Sequence, residues 1–361
     1  MRSFSRTRVV LATTAVALAA LVAACSSPPP AAPPPVVQAP PPTPPITLSA
    51  SLVERASAFR GWMTRAGQVS PSFQNGEQIQ ASLKVGAAYE AKSFMNGAVA
   101  YAAVLALQDP TFVASVREVA ANPAQRQEMI ANIFSNPSYA AVFKGSDSAA
   151  GLIIDQIGGD GLKVYMAGKA VKQAAYDVQK SSWSKASVLD RDGRLASAKT
   201  LSATPALAES ADVAVLQQAS TGLQPLGLTP RAATAPYQPI VIRGLAVAAL
   251  AALGAAGDNN LPSIDALSGD WATANCLNMA KLNLYQCLAV SKPHYEDIFC
   301  LGQHILIDTG ACVAKGAGAS LPPEPPRAMP VKESIAVKGA GANSAKAKAK
   351  AAAARKAVKK S

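Results

Sequence analysis

Four cysteines carry most of the chemistry available to the second half of this chain. Cys276, Cys287, Cys300 and Cys312 are separated by 11, 13 and 12 residues. Thiols at such positions can hold a metal or oxidise in pairs. Structural zinc sites use closely spaced ligand pairs such as Cys-x₂₋₄-Cys, and no such pair is present. Eleven residues are close to three helical turns, so Cys276 and Cys287 share one helix face. Cys300 and Cys312 nearly match that spacing on a second helix, with Pro293 between the two pairs. Four cysteines allow three connectivities. Only the nested one, Cys287–Cys300 near the turn and Cys276–Cys312 at the open end, satisfies an antiparallel hairpin.

Both histidines fall in the same hairpin. His294 sits in the turn beside Glu296 and Asp297. His304 follows Cys300 by one turn and precedes Asp308 by another. A His–carboxylate pair can do acid–base work or bind metal, so His304, His294 and Asp308 are the catalytic candidates. The competing expectation is a structural contact, since the nested register sets His304 opposite Asn283. Trp271, Tyr285, Tyr295 and Phe299 are expected to pack the hairpin core. Other motifs fall short. Ser182-Trp183-Ser184-Lys185 has Ser-x-x-Lys spacing but lacks the partner motifs of penicillin-binding enzymes. The Gly161 to Lys169 stretch is a poor phosphate loop, with no Ser or Thr after Lys169 and no preceding strand. No metal site and no cofactor is expected.

The elements that must position these residues read as helices throughout. Ser51 and Glu54 fit a capping box ahead of an apolar-periodic run through Met63. Residues 76–107 read as one or two helices. Asp109-Pro110, Asn122-Pro123 and Asn136-Pro137 share a start signature, an Asx cap followed by proline at the first helical position, and helices of about ten residues are expected after each. Asp147 is expected to cap a further helix, interrupted at Gly158-Gly159 and resumed from Gly161 to Lys185. Five prolines between Thr200 and Pro239 mark a boundary or a long surface connection, with one helix near 206–218. The apolar run 240–256 is interrupted by Arg243, and Gly244 to Gly257 offers only fourteen uncharged residues, shorter than the ~20 a membrane span needs, so a buried core helix is expected. The fold class is all-α: an irregular helical body with a C-terminal disulfide-stapled antiparallel hairpin. The divisions are 48–200 (helical domain), 201–239 (connection) and 240–315 (helical segment with the four-cysteine hairpin).

The ends differ from this body. Arg2, Arg6 and Arg8 precede an apolar run from Val9 to Val22, which is short for a span but suits a secretory signal. No adjacent arginine pair points to a twin-arginine route. Val22-Ala23-Ala24-Cys25 resembles the lipobox of bacterial lipoproteins. The resemblance implies a signal peptide over 1–24, cleavage before Cys25, and acyl groups, palmitate among them, on that cysteine. Ser26 and Ser27 stand where an aspartate would retain such a protein in the inner membrane, so the family pattern implies the outer membrane, facing the periplasm. An exported chain also meets an oxidising compartment, which fits two disulfides and one lipidated cysteine. Residues 25–47 form a Pro-rich linker whose eighteen residues from Pro28 to Pro45 could reach about 55 Å as polyproline II.

Net charge is +12. Residues 1–8 carry +3 and residues 332–361 carry +8, which leaves +1 for everything between. A near-neutral body lacks the basic face that nucleic-acid binding needs, so no nucleic acid is expected as a partner. The tail, 316–361, sets lysines among alanines and is expected to be disordered. Lys346, Lys348, Lys350, Arg355, Lys356, Lys359 and Lys360 could clamp an anionic envelope polymer, weakening with salt. The expected function is a non-enzymatic structural or interaction role in the envelope, with a membrane, an anionic polymer or an envelope protein as partner. The alternatives are an envelope hydrolase using His304 or His294 with neighbouring carboxylates, and an assembly or secretion accessory factor.

Overall fold

In the computed structural model the described residues are 42–323. They are helical, with two isolated β-bridges and no strand among them. Cys25, the signal, most of the Pro-rich linker and the seven basic tail candidates lie outside this range.

The first helix, α1 (Ala50–Gly67), is capped by Ser49, whose hydroxyl accepts from the Leu52 N–H at 3.2 Å. The cap expected at Ser51 therefore lies two residues earlier, and with Leu52 at the third helical position no capping box forms. The cause of the shift is tertiary: Thr47 N–H donates to Ala251 O (3.0 Å) and Ser49 N–H to Ala256 O (2.9 Å), while the Arg117 guanidinium holds Pro44 O. Leu48 thereby forms a parallel bridge with Ala256. Helices α2 (Gly76–Ala87) and α3 (Ala91–Ala106) follow, capped by Asn75 and Glu90. The Asx-Pro signatures start α4 (Pro110–Ala120) and α5 (Pro123–Ser135) as expected. Asn136 caps only a 3₁₀ turn, Pro137–Val142, rather than a ten-residue helix.

Two further expectations fail because residues distant in sequence pack against the glycines involved. α6 (Ser146–Ile153) starts from Gly145, not Asp147. Gly145 has φ +84°, and a Cβ there would lie 2.5 Å from the Phe112 nitrogen; only glycine fits this left-handed turn. Gly158-Gly159 does not interrupt the helix. A π turn, Ile154–Gly158, carries it into α7 (Gly159–Asp177), and Gly158 lies against Ala319 where a Cβ would collide. Then come α8 (Ser182–Lys185), α9 (Arg191–Ser202) and α10 (Ser210–Ser220), the last shifted from 206–218. The Pro-rich connection is strapped to the body. Ser57 and Glu209 exchange hydrogen bonds, the Gln108 amide bonds Ala219 O and Leu226 N–H, and Ala233 N–H reaches Asp147 O. Arg60 and Arg65 on α1 pair with Asp212 and Glu209.

The apolar run is α11 (Pro239–Ala252), buried without exception from Gly244 to Ala252. It packs on α3, where Ala102 and Gly244 bring the two backbones close. Among the described residues no single helix is long and apolar enough to cross a membrane. The aromatic centre of the core is formed by Phe59, Trp62, Tyr89 and Phe94, with ring centroids 4.5–5.0 Å apart.

After α12 (Leu261–Ser268) comes the hairpin. α13 (Trp271–Val290) runs out, and α14 (His294–Cys300), a π turn Leu301–Ile307 and α15 (Asp308–Gly316) run back as one rod. The rod packs antiparallel on α7 through glycines on both sides. A Cβ on Gly168 would lie 2.8 Å from Gly302 O, and one on Gly310 would lie 2.5 Å from Tyr165 N. The two helices thus touch backbone to backbone.

Candidate functional site

The hairpin carries both disulfides in the nested pairing. Cys276–Cys312 and Cys287–Cys300 have Cα separations of 5.8 and 5.7 Å, inside the range a disulfide needs. Trp271 does not pack the hairpin core: it is 80% exposed at the first position of α13. Phe299 packs edge-on to Tyr176, and Tyr285 and Tyr295 are half-buried.

His304 and Asp308 do meet. His304 Nδ1 lies 2.8 Å from Asp308 Oδ2, so the imidazole bonds within its own rod rather than to Asn283. The other Asp308 oxygen accepts from Gln303 Nε2 (2.9 Å), and Gln303 Oε1 accepts from Lys172 Nζ (2.7 Å). This polar chain ties the rod to α7. His304 and Asp308 line neither of the two cavities described below. Ser182 and Lys185 are exposed at the two ends of α8, and Gly161–Lys169 lies within α7 with no loop character.

His294 sits elsewhere, at a cleft of about 850 Å³ between α2 and α9. Pairing of 186–188 with 292–294 brings α9 to the hairpin turn: Val188 N–H donates to Lys292 O (2.9 Å) and His294 N–H to Ala186 O (3.2 Å). The imidazole lies on Gly76, the first residue of α2, where any Cβ would overlap the ring. Its Nδ1 is buried without a hydrogen-bond partner. The cleft floor is apolar, formed by Leu83, Val188, Ala198, Leu201 and Leu288, and its rim carries Glu77, Lys84 and Asp190.

Beneath the His294 end lies a buried ion pair that the sequence reading passed over. Arg194 and Asp297 have side chains 3% and 0% exposed. Asp297 accepts from Arg194, Ser291 Oγ (2.8 Å) and Gln80 Nε2 (3.0 Å). Arg194 also donates to the carbonyls of Leu288 and Ser291. Three segments, α2, α9 and the hairpin turn, therefore converge on one carboxylate. Removing one partner of such a buried pair costs about 3–5 kcal/mol, because the other charge is left uncompensated. Arg194 Nε alone lacks a partner, and Arg194 lines the cleft. Asp297 was visible in sequence only as a charge beside His294. Nothing local distinguishes it from Glu296, whose carboxylate simply accepts from Lys292 N–H in the turn.

A second buried charge lies on α13. Lys281 is 7% exposed, with Nζ 3.4 Å from the centroid of the Tyr89 ring. Burial pushes its ammonium down to about 7, partly opposed by Glu90. Burial also pushes the Tyr89 phenol up, although its hydroxyl is bonded to Thr309 Oγ1 at 2.9 Å. For Glu90, burial acts upward, but the Lys92 and Ser93 N–H groups and the Ser93 hydroxyl hold it below the usual range. A smaller cavity of about 340 Å³ lies beside Cys287, walled by Tyr176, Tyr295 and Phe299. Among the described residues no group of three His, Cys, Asp or Glu converges as metal ligands would. Comparison of the chain with protein-family models, with curated proteins and with solved structures finds no match.

Proposed function

We propose that this chain is a lipid-anchored protein of the bacterial outer membrane, facing the periplasm, that acts by binding a partner through its folded body. The observation that carries the binding role is the α2–α9 cleft. Its floor is apolar, and the one carboxylate beneath its polar end, Asp297, has both oxygens engaged by Arg194, Ser291 and Gln80. That carboxylate holds three segments together, which makes a rigid wall for recognition. The anchoring part rests on the resemblance of Val22–Cys25 to a lipobox. It is supported by the pairing of the four body cysteines with one another, which leaves Cys25 as the odd one of five.

Intact mass of the protein extracted from envelopes tests the anchor. The expected mass is that of residues 25–361 plus diacylglyceryl and a further acyl chain, rising by four hydrogens on reduction. An N-terminus other than Cys25, or no acyl mass, would overturn the anchored reading.

A further inference from the structure

The α2–α9 cleft is polarised along its length. Ser202 Oγ reaches Ala87 O (3.3 Å) at one end, while Gln80 and Arg194 meet on Asp297 at the other. The two helices therefore run parallel, and both amino ends open beside His294. Glu77 and Asp190 stand on the rim at that end, and Lys84 lies seven residues further along α2. Seven residues of helix rise about 10 Å, the span of about three extended residues. Between the charged ends the floor is apolar. Arg194 underlies this floor with its side chain 3% exposed, its guanidinium fixed on Asp297 and the Leu288 and Ser291 carbonyls.

Each feature selects against other ligands. A phosphate or fatty carboxylate would seek the helix amino ends, where Glu77 and Asp190 already stand. A purely apolar ligand would leave the Glu77, Asp190 and Lys84 charges unanswered. A zwitterion with an apolar middle answers both charged ends at once.

We propose that the cleft binds a short peptide in extended form. Its amino end lies between Glu77 and Asp190, an apolar side chain rests on Leu83 and Leu288, and its carboxylate faces Lys84. This names the ligand class for the binding role proposed above, and it stands whether or not Cys25 is acylated. The two experiments therefore fail separately.

Titration of the full-length mature protein with the tripeptide Lys-Leu-Ala, followed by calorimetry, tests it. Saturable binding is expected. Ala81→Trp, which places a large side chain in the cleft from an exposed position, is expected to weaken it at least tenfold. Lys84→Gln is expected to weaken the free acid several-fold and to leave the C-terminal amide unchanged. No saturation at millimolar peptide, or indifference to Ala81→Trp, would overturn the proposal. So would decanoate binding more tightly than the tripeptide at the same blocked site, which would make the ligand an amphipathic anion.

Discussion

At the scale of single residues, the body keeps two buried cations in different ways. Arg194 is neutralised by a carboxylate, whereas Lys281 has only the Tyr89 ring face, a distant Ala87 carbonyl at 3.5 Å and the Glu90 charge nearby. Burial favours the neutral amine, so the folded state releases this proton more readily than the unfolded chain. Between about 7 and the ordinary 10.5 the unfolded state binds more protons, and stability rises with pH across that window. Below it both states are protonated and the cost is fully present. Lys281→Met keeps the stem and removes the charge. It is expected to stabilise the protein by roughly 2–4 kcal/mol near pH 6.5, with the gain shrinking by about pH 9. Urea midpoints at the two pH values measure this. A variant no more stable than the parent at the lower pH would sink the assignment.

At the scale of elements, the backbone contact between α7 and the 294–316 rod sets how much side chain the interface tolerates. Gly310→Ala places a Cβ against Tyr165 N and Gly161 O, and overpacking of this kind costs about 1–3 kcal/mol. Gly159→Ala, on the facing helix at the start of α7 and with nothing within 4 Å, should instead stabilise by about 0.5–1 kcal/mol through helix propensity. Thermal melts of the two variants should move in opposite directions; a shift of the same sign in both would refute the packing account.

These elements also show what a sequence can convey. The Asx-Pro starts and the cysteine hairpin were legible because each depends on residues within a few turns of one another. Ser49 as the α1 cap was not, because Ala256 decides it from two hundred residues away. The π turn at Gly158 depends on Ala319, and Gly145 depends on the Phe112 backbone. The cleft was invisible for the same reason. Its walls come from 75–84, 188–201 and 288–294, and no spacing rule links them. The His304–Asp308 pair was legible at one helical turn, but its distance from both cavities was not.

At the scale of the whole molecule, a near-neutral body stands between two chemically distinct ends. The lysines from Lys346 to Lys360 offer charge with no apolar face to bury. If they clamp an anionic wall polymer, their contribution is electrostatic and is screened within about 8–10 Å at ordinary ionic strength. Co-sedimentation with cell-wall sacculi is expected at low salt, lost at high salt, and abolished at both by removing residues 331–361. Retention of the truncated form equal to that of the full chain would assign binding to the body instead.

The short segment ahead of α1 has a mechanical meaning. Residues 44–49 run alongside 251–256 and are bonded to the carboxyl end of α11, a helix buried from Gly244 to Ala252. A pull arriving along the chain from Pro42 meets those hydrogen bonds side-on, where they resist as a set, before it reaches the first turn of α1. Force is thus delivered to the middle of the body instead of peeling helices from its edge. If the body is tethered ahead of Pro42 as proposed, tension enters where 44–49 pair with 251–256, and the cleft's geometry stays undisturbed until that pairing fails.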